Sequence, residues 1–222
     1  MSTEFKIKWD ESGKKYYETG VDRAVLYVKE GSTYPKGVGW DGLMSVSESP
    51  SGAEPTALYA NNKKYLNLMS AEEFGGSIGA YTYPDEFNAC IGYKELASGV
   101  YVTQQNRDSF GMTYRTLIGN DTEGTDAGYK IHLVYDALVS PSERENTTVN
   151  ESPEAAELSW EFTTTPVDVP GMKATAHLVV DSRKADPTNL AKLEAALYGS
   201  GETEARLPLP SEVATLLGGA AG

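Results

Sequence analysis

Side-chain polarity alternates with a period of two residues through most of this chain, and that alternation confines the fold to β-sheet. Phe5-Lys6-Ile7-Lys8-Trp9 alternates apolar and polar side chains, a turn over Asp10–Gly13 follows, and Lys14–Tyr17 returns, so a short β-hairpin is expected here. Val21–Val28 carries Val21, Ala24, Val25, Leu26, Tyr27 and Val28 and predicts a buried strand. Val38–Val46 predicts another, interrupted at Gly39 and Gly42 by a bulge or a close backbone approach. Lys64–Met69, Ser77–Tyr83, Phe110–Ile118, Tyr129–Tyr135, Leu158–Thr165 and Thr175–Val180 complete the expected strands. Tyr114, Tyr129, Tyr135 and Trp160 are aromatics of the kind that half-buried sheet surfaces favour.

Helix is expected in two places. Pro84–Cys90 opens with proline and two acids, a first-turn pattern, but is short. Asp186 is placed to cap a longer helix with Pro187 in its first turn. Leu190, Leu193 and Leu197 fall on one face of it, and Gly199 is a stop. Between these elements lie long polar loops at 47–62, 120–128 and 140–153, lengths that compact domains keep for function or motion. The segment 199–222 alternates Leu207-Pro208-Leu209-Pro210 and then offers Val213, Leu216 and Leu217, so it needs either a partner or a groove to lie in. With no internal repeat, the reading is one domain over residues 1–222. It has an N-terminal arm or hairpin strand at 1–8, a long loop at 47–62 and a C-terminal arm at 200–222.

Charge narrows the function. The chain has 19 Lys and Arg against 32 Asp and Glu, a formal charge of −13, which repels phosphate and argues against a nucleic-acid reader. Cys90 is the only cysteine, so no internal disulfide can form, and a reducing compartment fits. No apolar run approaches the ~18 residues of a membrane span, and the N-terminus lacks the apolar stretch of a secretion signal.

Chemistry-bearing residues are scarce. The only two histidines, His132 and His177, both fall inside expected strands and read as half-buried polar residues. With two histidines and one cysteine, neither a zinc site nor a Ser-His-Asp triad is expected. Asp121, Glu123 and Asp126 sit on a loop with Gly124 and Gly128 but lack the EF-hand spacing, and read as a surface turn. The glycines of Gly37–Gly42 have no helix after them and so do not make a nucleotide loop. No catalytic residue, no cofactor and no metal are expected.

Two longer stretches, 38–87 and 110–167, hold the motifs Tyr81-Thr-Tyr-Pro-Asp-Glu-Phe87 and Tyr114-Arg-Thr-Leu-Ile-Gly-Asn-Asp-Thr-Glu-Gly124. In these stretches, and in segment order from about Trp9 to Leu217, the chain resembles the tail tube proteins of long-tailed, non-contractile bacteriophages. The resemblance implies a mainly β fold, a β-sandwich or partial barrel with one or two short helices. Protomers of that family close into a β-barrel ring as hexamers, and the rings stack into a tube through the N-terminal arm, a long loop and the C-terminal arm. Carried onto this chain, the subunit-interface candidates are Pro50, Gly52, Glu54, Pro55, Leu58 and Tyr59 in the loop and Leu207, Leu209 and Leu216 in the C-terminal arm. The implied function is a non-catalytic conduit for DNA delivery, assembled in the bacterial host cytoplasm and residing in the virion tail. The implied partners are copies of itself, a tape measure protein inside, and terminator and distal tail proteins at the ends. DNA would pass through without specific binding.

Elementary physics is compatible with that picture. Open sheet edges invite aggregation unless they are covered or closed, and ring closure between copies removes them. An acidic bore offers DNA phosphates no cation to hold them. The alternative from another class is a β-sandwich carbohydrate-binding or adhesion module of a virion using exposed aromatics, for which the 14 tyrosines are the motive. A hydrolase with scattered carboxylates is a third reading, weakened by the shortage of histidine.

Overall fold

The computed structural model describes residues 7–148 and 155–219. Strand occupies 46% of the described residues and helix 11%, so the chain is mainly β, as its alternation predicts. Strands β1 (Tyr17–Val28), β2 (Gly37–Gly39) and β3 (Leu43–Glu48) come first, followed by four strands of a projecting arm. The arm holds β4 (Ser51–Gly52), β5 (Pro55–Ala60), β6 (Lys63–Met69) and β7 (Glu72–Glu73). Then come β8 (Gly75–Ala80), helix α1 (Phe87–Cys90), and the hairpin β9 (Lys94–Ala97) with β10 (Val100–Val102). The long strands β11 (Phe110–Asn120) and β12 (Gly124–Val139) follow, then β13 (Leu158–Thr164) and β14 (His177–Asp181). Helices α2 (Pro187–Tyr198) and α3 (Pro210–Leu216) close the described chain.

Eight of these strands make one antiparallel sheet in the order β2-β1-β11-β12-β13-β8-β3, with β14 joined to β12 as a branch. The fork arises inside β12. Lys130–Val134 pair with β14, whereas Ala137–Val139 pair with β13. Asp136, at φ 46°, breaks the alternation between the two halves. Its N–H donates to the Tyr34 hydroxyl at 3.0 Å and its carboxylate accepts from Lys29 Nζ at 2.7 Å, so the unusual backbone is held from both sides. The extra residue lets Val134 and Ala137, three apart, face the same core.

Each face of the sheet buries its own core. On one side Ala24, Leu26, Phe110, Met112, Tyr114, Ile78, Trp160 and Phe162 meet Trp40 and the α1 residues Phe87 and Cys90. Rings pack edge to face there, Phe87 lying 5.2 Å from Trp160 and 5.5 Å from Phe110 between centroids. On the other side Val25, Tyr27, Ile131, Leu133 and Tyr135 are covered by Leu190, Leu193 and Leu197 of α2 and by Val213 of α3. Successive residues of β1 thus serve opposite cores, the physical content of period two.

Helix α2 forms as its sequence specifies. Asp186 Oδ1 accepts from the Thr188 and Asn189 N–H groups, each at 3.0 Å, Pro187 opens the first turn, and Gly199 at φ 81° ends it. The predicted helix at Pro84–Cys90 shortens to α1, with Pro84 and Asp85 in the turn before it.

Three expectations are corrected. The N-terminal hairpin does not form over residues 7–16, and its first residues, 1–6, lie outside the described chain. Gly13 and Lys15 instead donate backbone N–H groups to Asp121 Oδ1, so the segment lies on the β11–β12 turn. The loop expected at 47–62 is mostly strand, because Asn61 and Asn62 take φ 50° and 61° and form the two-residue turn of a hairpin between β5 and β6. Of the C-terminal arm expected at 200–222, residues 220–222 lie outside the described chain and residues 200–219 fold back on their own chain. Gly37 N–H donates to Ala205 O, Leu207 N–H to Tyr34 O, and Arg206 pairs with Glu212 at the start of α3, a helix beyond the two expected.

Candidate functional site

Two places hold side chains that the fold itself leaves unexplained: the arm, and a cluster at its root. The arm leaves the sheet after Glu48 and returns at Phe74. Its neck is the two-rung ladder of β4 and β7, and its body is the hairpin of β5 and β6. Every residue of β6 is exposed, and so is all of β5 except Ala57, which is half-buried. Leu58 pairs directly with Leu66 and Thr56 with Leu68, so the three leucines share one face of the hairpin. Leu58 is 41%, Leu66 38% and Leu68 55% exposed, with Tyr59, Tyr65 and Met69 more exposed still. A lone two-stranded hairpin is marginal in water, and a continuous apolar stripe on one marks a surface meant for contact.

Of the interface candidates, Pro50, Gly52, Glu54, Pro55, Leu58 and Tyr59 all lie on this arm and are exposed. Leu207, Leu209 and Leu216 pack within their own chain. Leu207 is 3% exposed within the second core, and Leu209 and Leu216 pack against that core. Burial of their own β1 and β12 face is what holds them. Sequence reasoning also missed the hairpin of β9 and β10, which exposes Leu96, Val100, Tyr101 and Val102. Its only sequence signal was Ser98-Gly99 between two short polar-apolar runs.

At the root of the arm the structure brings together both histidines. His132 points from β12 to the side opposite Ile131 and Leu133, as the alternation predicts, and His177 begins β14 beside it. His132 Nδ1 lies 3.1 Å from His177 Nε2 and 3.3 Å from Glu48 Oε1, and Thr116 Oγ1 lies 3.1 Å from His132 Nε2. The Tyr114 hydroxyl donates to Glu48 Oε1 at 2.7 Å. Tyr114 lies face-on to His132, centroids 4.5 Å apart and 6° from parallel, and Phe74 covers His177 at 4.4 Å. Burial is the main cause that lowers both imidazole pKa values, that of His132 to about 4, so at neutral pH both rings are uncharged. Among the described residues, Glu48, His132 and His177 are the group of donor atoms close enough to share a metal ion. Neither histidine's expected role as an isolated strand residue anticipated this, because Glu48 is distant in sequence and only the sheet order makes them neighbours.

Other chemical candidates resolve into structure. Asp121 accepts the backbone N–H groups already named, and Asn120 Oδ1 accepts from Thr122 and Glu123 N–H, so the acidic loop is a capped turn. Cys90 is buried in the first core, where burial pushes its thiol up to about 12 and leaves it inert. No helix among the described residues is long and apolar enough to cross a membrane. No protein-family model and no curated protein matches this chain.

Proposed function

We propose that this chain is a non-catalytic structural subunit that assembles with copies of itself into stacked hexameric rings, the tube of a phage tail. The observation that carries the reading is the β5–β6 arm, an apolar-faced hairpin that reaches away from the sheet and has no cover of its own. The segment order resembles that of tail tube proteins, and the long 47–62 region of that resemblance coincides with the arm's first half. In this reading the large antiparallel sheet is a sandwich or partial barrel whose edges are completed by neighbouring copies, and the arm seats on the next ring. The net charge of −13 keeps the bore from gripping DNA in transit. Tape measure, terminator and distal tail proteins would be its other partners, and the virion tail its location. A carbohydrate-binding module would instead use tyrosines that line a cleft, as Tyr81, Tyr83, Tyr93 and Tyr101 do beside Asp85 and Arg144, whereas Tyr59 and Tyr65 stand on the arm. Negative-stain microscopy with light scattering across a concentration series tests the proposal. Rings or tubes with a central hole are expected, and a protein that stays monomeric at every concentration and salt overturns it.

A further inference from the structure

We propose that Glu48, His132 and His177 form a binding site for one divalent zinc-like cation at the root of the arm. A tetrahedral ion with bonds of about 2.0–2.2 Å holds its ligand atoms roughly 3.3–3.5 Å apart. The distances of 3.1 Å between His132 Nδ1 and His177 Nε2 and 3.3 Å between His132 Nδ1 and Glu48 Oε1 need only a few tenths of an ångström of adjustment, and all three donor atoms lie within 4.8 Å of one another, so the Glu48 carboxylate closes whatever gap separates it from His177.

Ring orientation sets the adjustment that an ion requires. The two imidazoles are 12° from parallel with centroids 5.3 Å apart, close to the nitrogen–nitrogen distance plus the two ring radii. They therefore meet edge to edge in nearly one plane, nitrogen facing nitrogen as in an N–H···N hydrogen bond, and each ring must turn within its plane for the two lone pairs to converge on one ion. In the metal-free protein a proton on one of these nitrogens bridges to the other. With the ion bound, each ring carries its proton on its outer nitrogen; for His132 that is Nε2, where Thr116 Oγ1 accepts it, the outer hydrogen bond that ligating histidines ordinarily make. The exchange of tautomer releases no net proton, because both rings are already neutral.

The surroundings hold the donors in place. Tyr114 and Phe74 fix the planes of His132 and His177 by stacking, and the Tyr114 hydroxyl orients the Glu48 carboxylate. Glu48 supplies one negative charge. Lys130 and Glu18 also act on His132, but they are paired with each other and offset. Two imidazoles and one carboxylate suit zinc, cobalt or nickel rather than calcium or magnesium. Glu48 is the last residue of β3, so the ion would tie the outgoing leg of the arm to β12 and β14, while Phe74 on the returning leg already stacks on His177. This site stands independently of the tube reading.

Cobalt(II) is the direct probe. Protein freed of its affinity tag and stripped with chelator is titrated with cobalt(II) chloride at neutral pH, followed by visible absorption and then zinc displacement. One equivalent with the intense d–d bands of four- or five-coordinate cobalt is expected, lost in His177→Ala and weakened at least about tenfold in Glu48→Gln, which keeps an acceptor for Tyr114. Circular dichroism checks the fold of His177→Ala, and the exposed Glu48 variant is measured in parallel. Absence of d–d bands in the wild-type chain, or bands that persist unchanged in both folded variants, overturns the proposal.

Discussion

The Tyr27 hydroxyl, buried between β1 and α2, donates to the backbone carbonyl of Leu197 at 2.7 Å. Carbonyls in the last turn of a helix lack intrahelical partners, and this one is out of reach of water, so a side chain of the sheet satisfies it. The contact fixes the end of α2 to the strand beneath it. Replacing Tyr27 with Phe leaves the shape intact and strands the carbonyl. A loss of about 1–3 kcal/mol is expected in urea unfolding, with the slope unchanged. A variant as stable as the parent would show that the helix end is solvated.

Folding back of the C-terminal segment makes a second prediction. Leu207 is 3% exposed and packs among Tyr34 and the second core, with Tyr135 donating to the neighbouring Pro208 carbonyl at 2.9 Å. Leu207→Ala should therefore destabilise the isolated monomer by roughly 2–5 kcal/mol, read from thermal or urea melts at a concentration where light scattering finds one copy. A side chain reserved for another subunit would leave the monomer's stability nearly unchanged and alter only assembly. The two outcomes separate a core residue from an interface residue.

The histidine pair predicts an acid limit for the metal-free protein. His132 has an ordinary pKa of 6.5 that burial lowers to about 4, while His177 and Lys130 push the same way and Glu48 and Glu18 oppose. Between those values the unfolded chain binds a proton that the folded chain does not. Stability is therefore fully present above pH 6.5 and falls as pH drops toward 4. The contribution of His132 has a ceiling of about 3 kcal/mol, the shift of its pKa converted to free energy. Urea melts in the presence of EDTA at several pH values between 7 and 4 should show this slope, and His132→Gln should reduce it, leaving the share that the lowered His177 contributes. An unchanged slope in a folded His132→Gln protein would place the acid-sensitive group elsewhere.

What the sequence made legible is what short-range physics dictates. Leu26 and Tyr27 lie on opposite faces because strands alternate, and Asp186 caps α2 because an aspartate before proline and a leucine face has few other uses. The arm was half legible. Asn61-Asn62 is a turn signal, but Pro50 and Pro55 and the polar residues around them suggested loop, and only pairing with β6 makes strand of Pro55–Ala60. Residues 207–217 were ambiguous by nature, since leucines spaced by prolines are as ready to fill their own chain's groove as another's. The cluster of Glu48, His132 and His177 was out of reach. It depends on β3, β12 and β14 meeting across a forked sheet, and no local pattern encodes that order.

The arm supplies the test that bears most directly on function. Leu58 and Leu66 face each other across the β5–β6 ladder at 41% and 38% exposure, beside Leu68 on the same face. In the monomer these side chains lie partly in water, so Leu58→Lys with Leu66→Lys removes little burial and should change unfolding stability by no more than about 0.5–1 kcal/mol. If the stripe seats on another copy, each lysine must lose its hydration on docking without a partner, at a cost of several kcal/mol across the pair and repeated at every copy of the contact. The expected result is a folded monomer, unchanged by circular dichroism, that no longer forms rings or tubes at concentrations where the parent does. A double variant that assembles like the parent would remove the arm from the interface and leave its exposed leucines without that explanation.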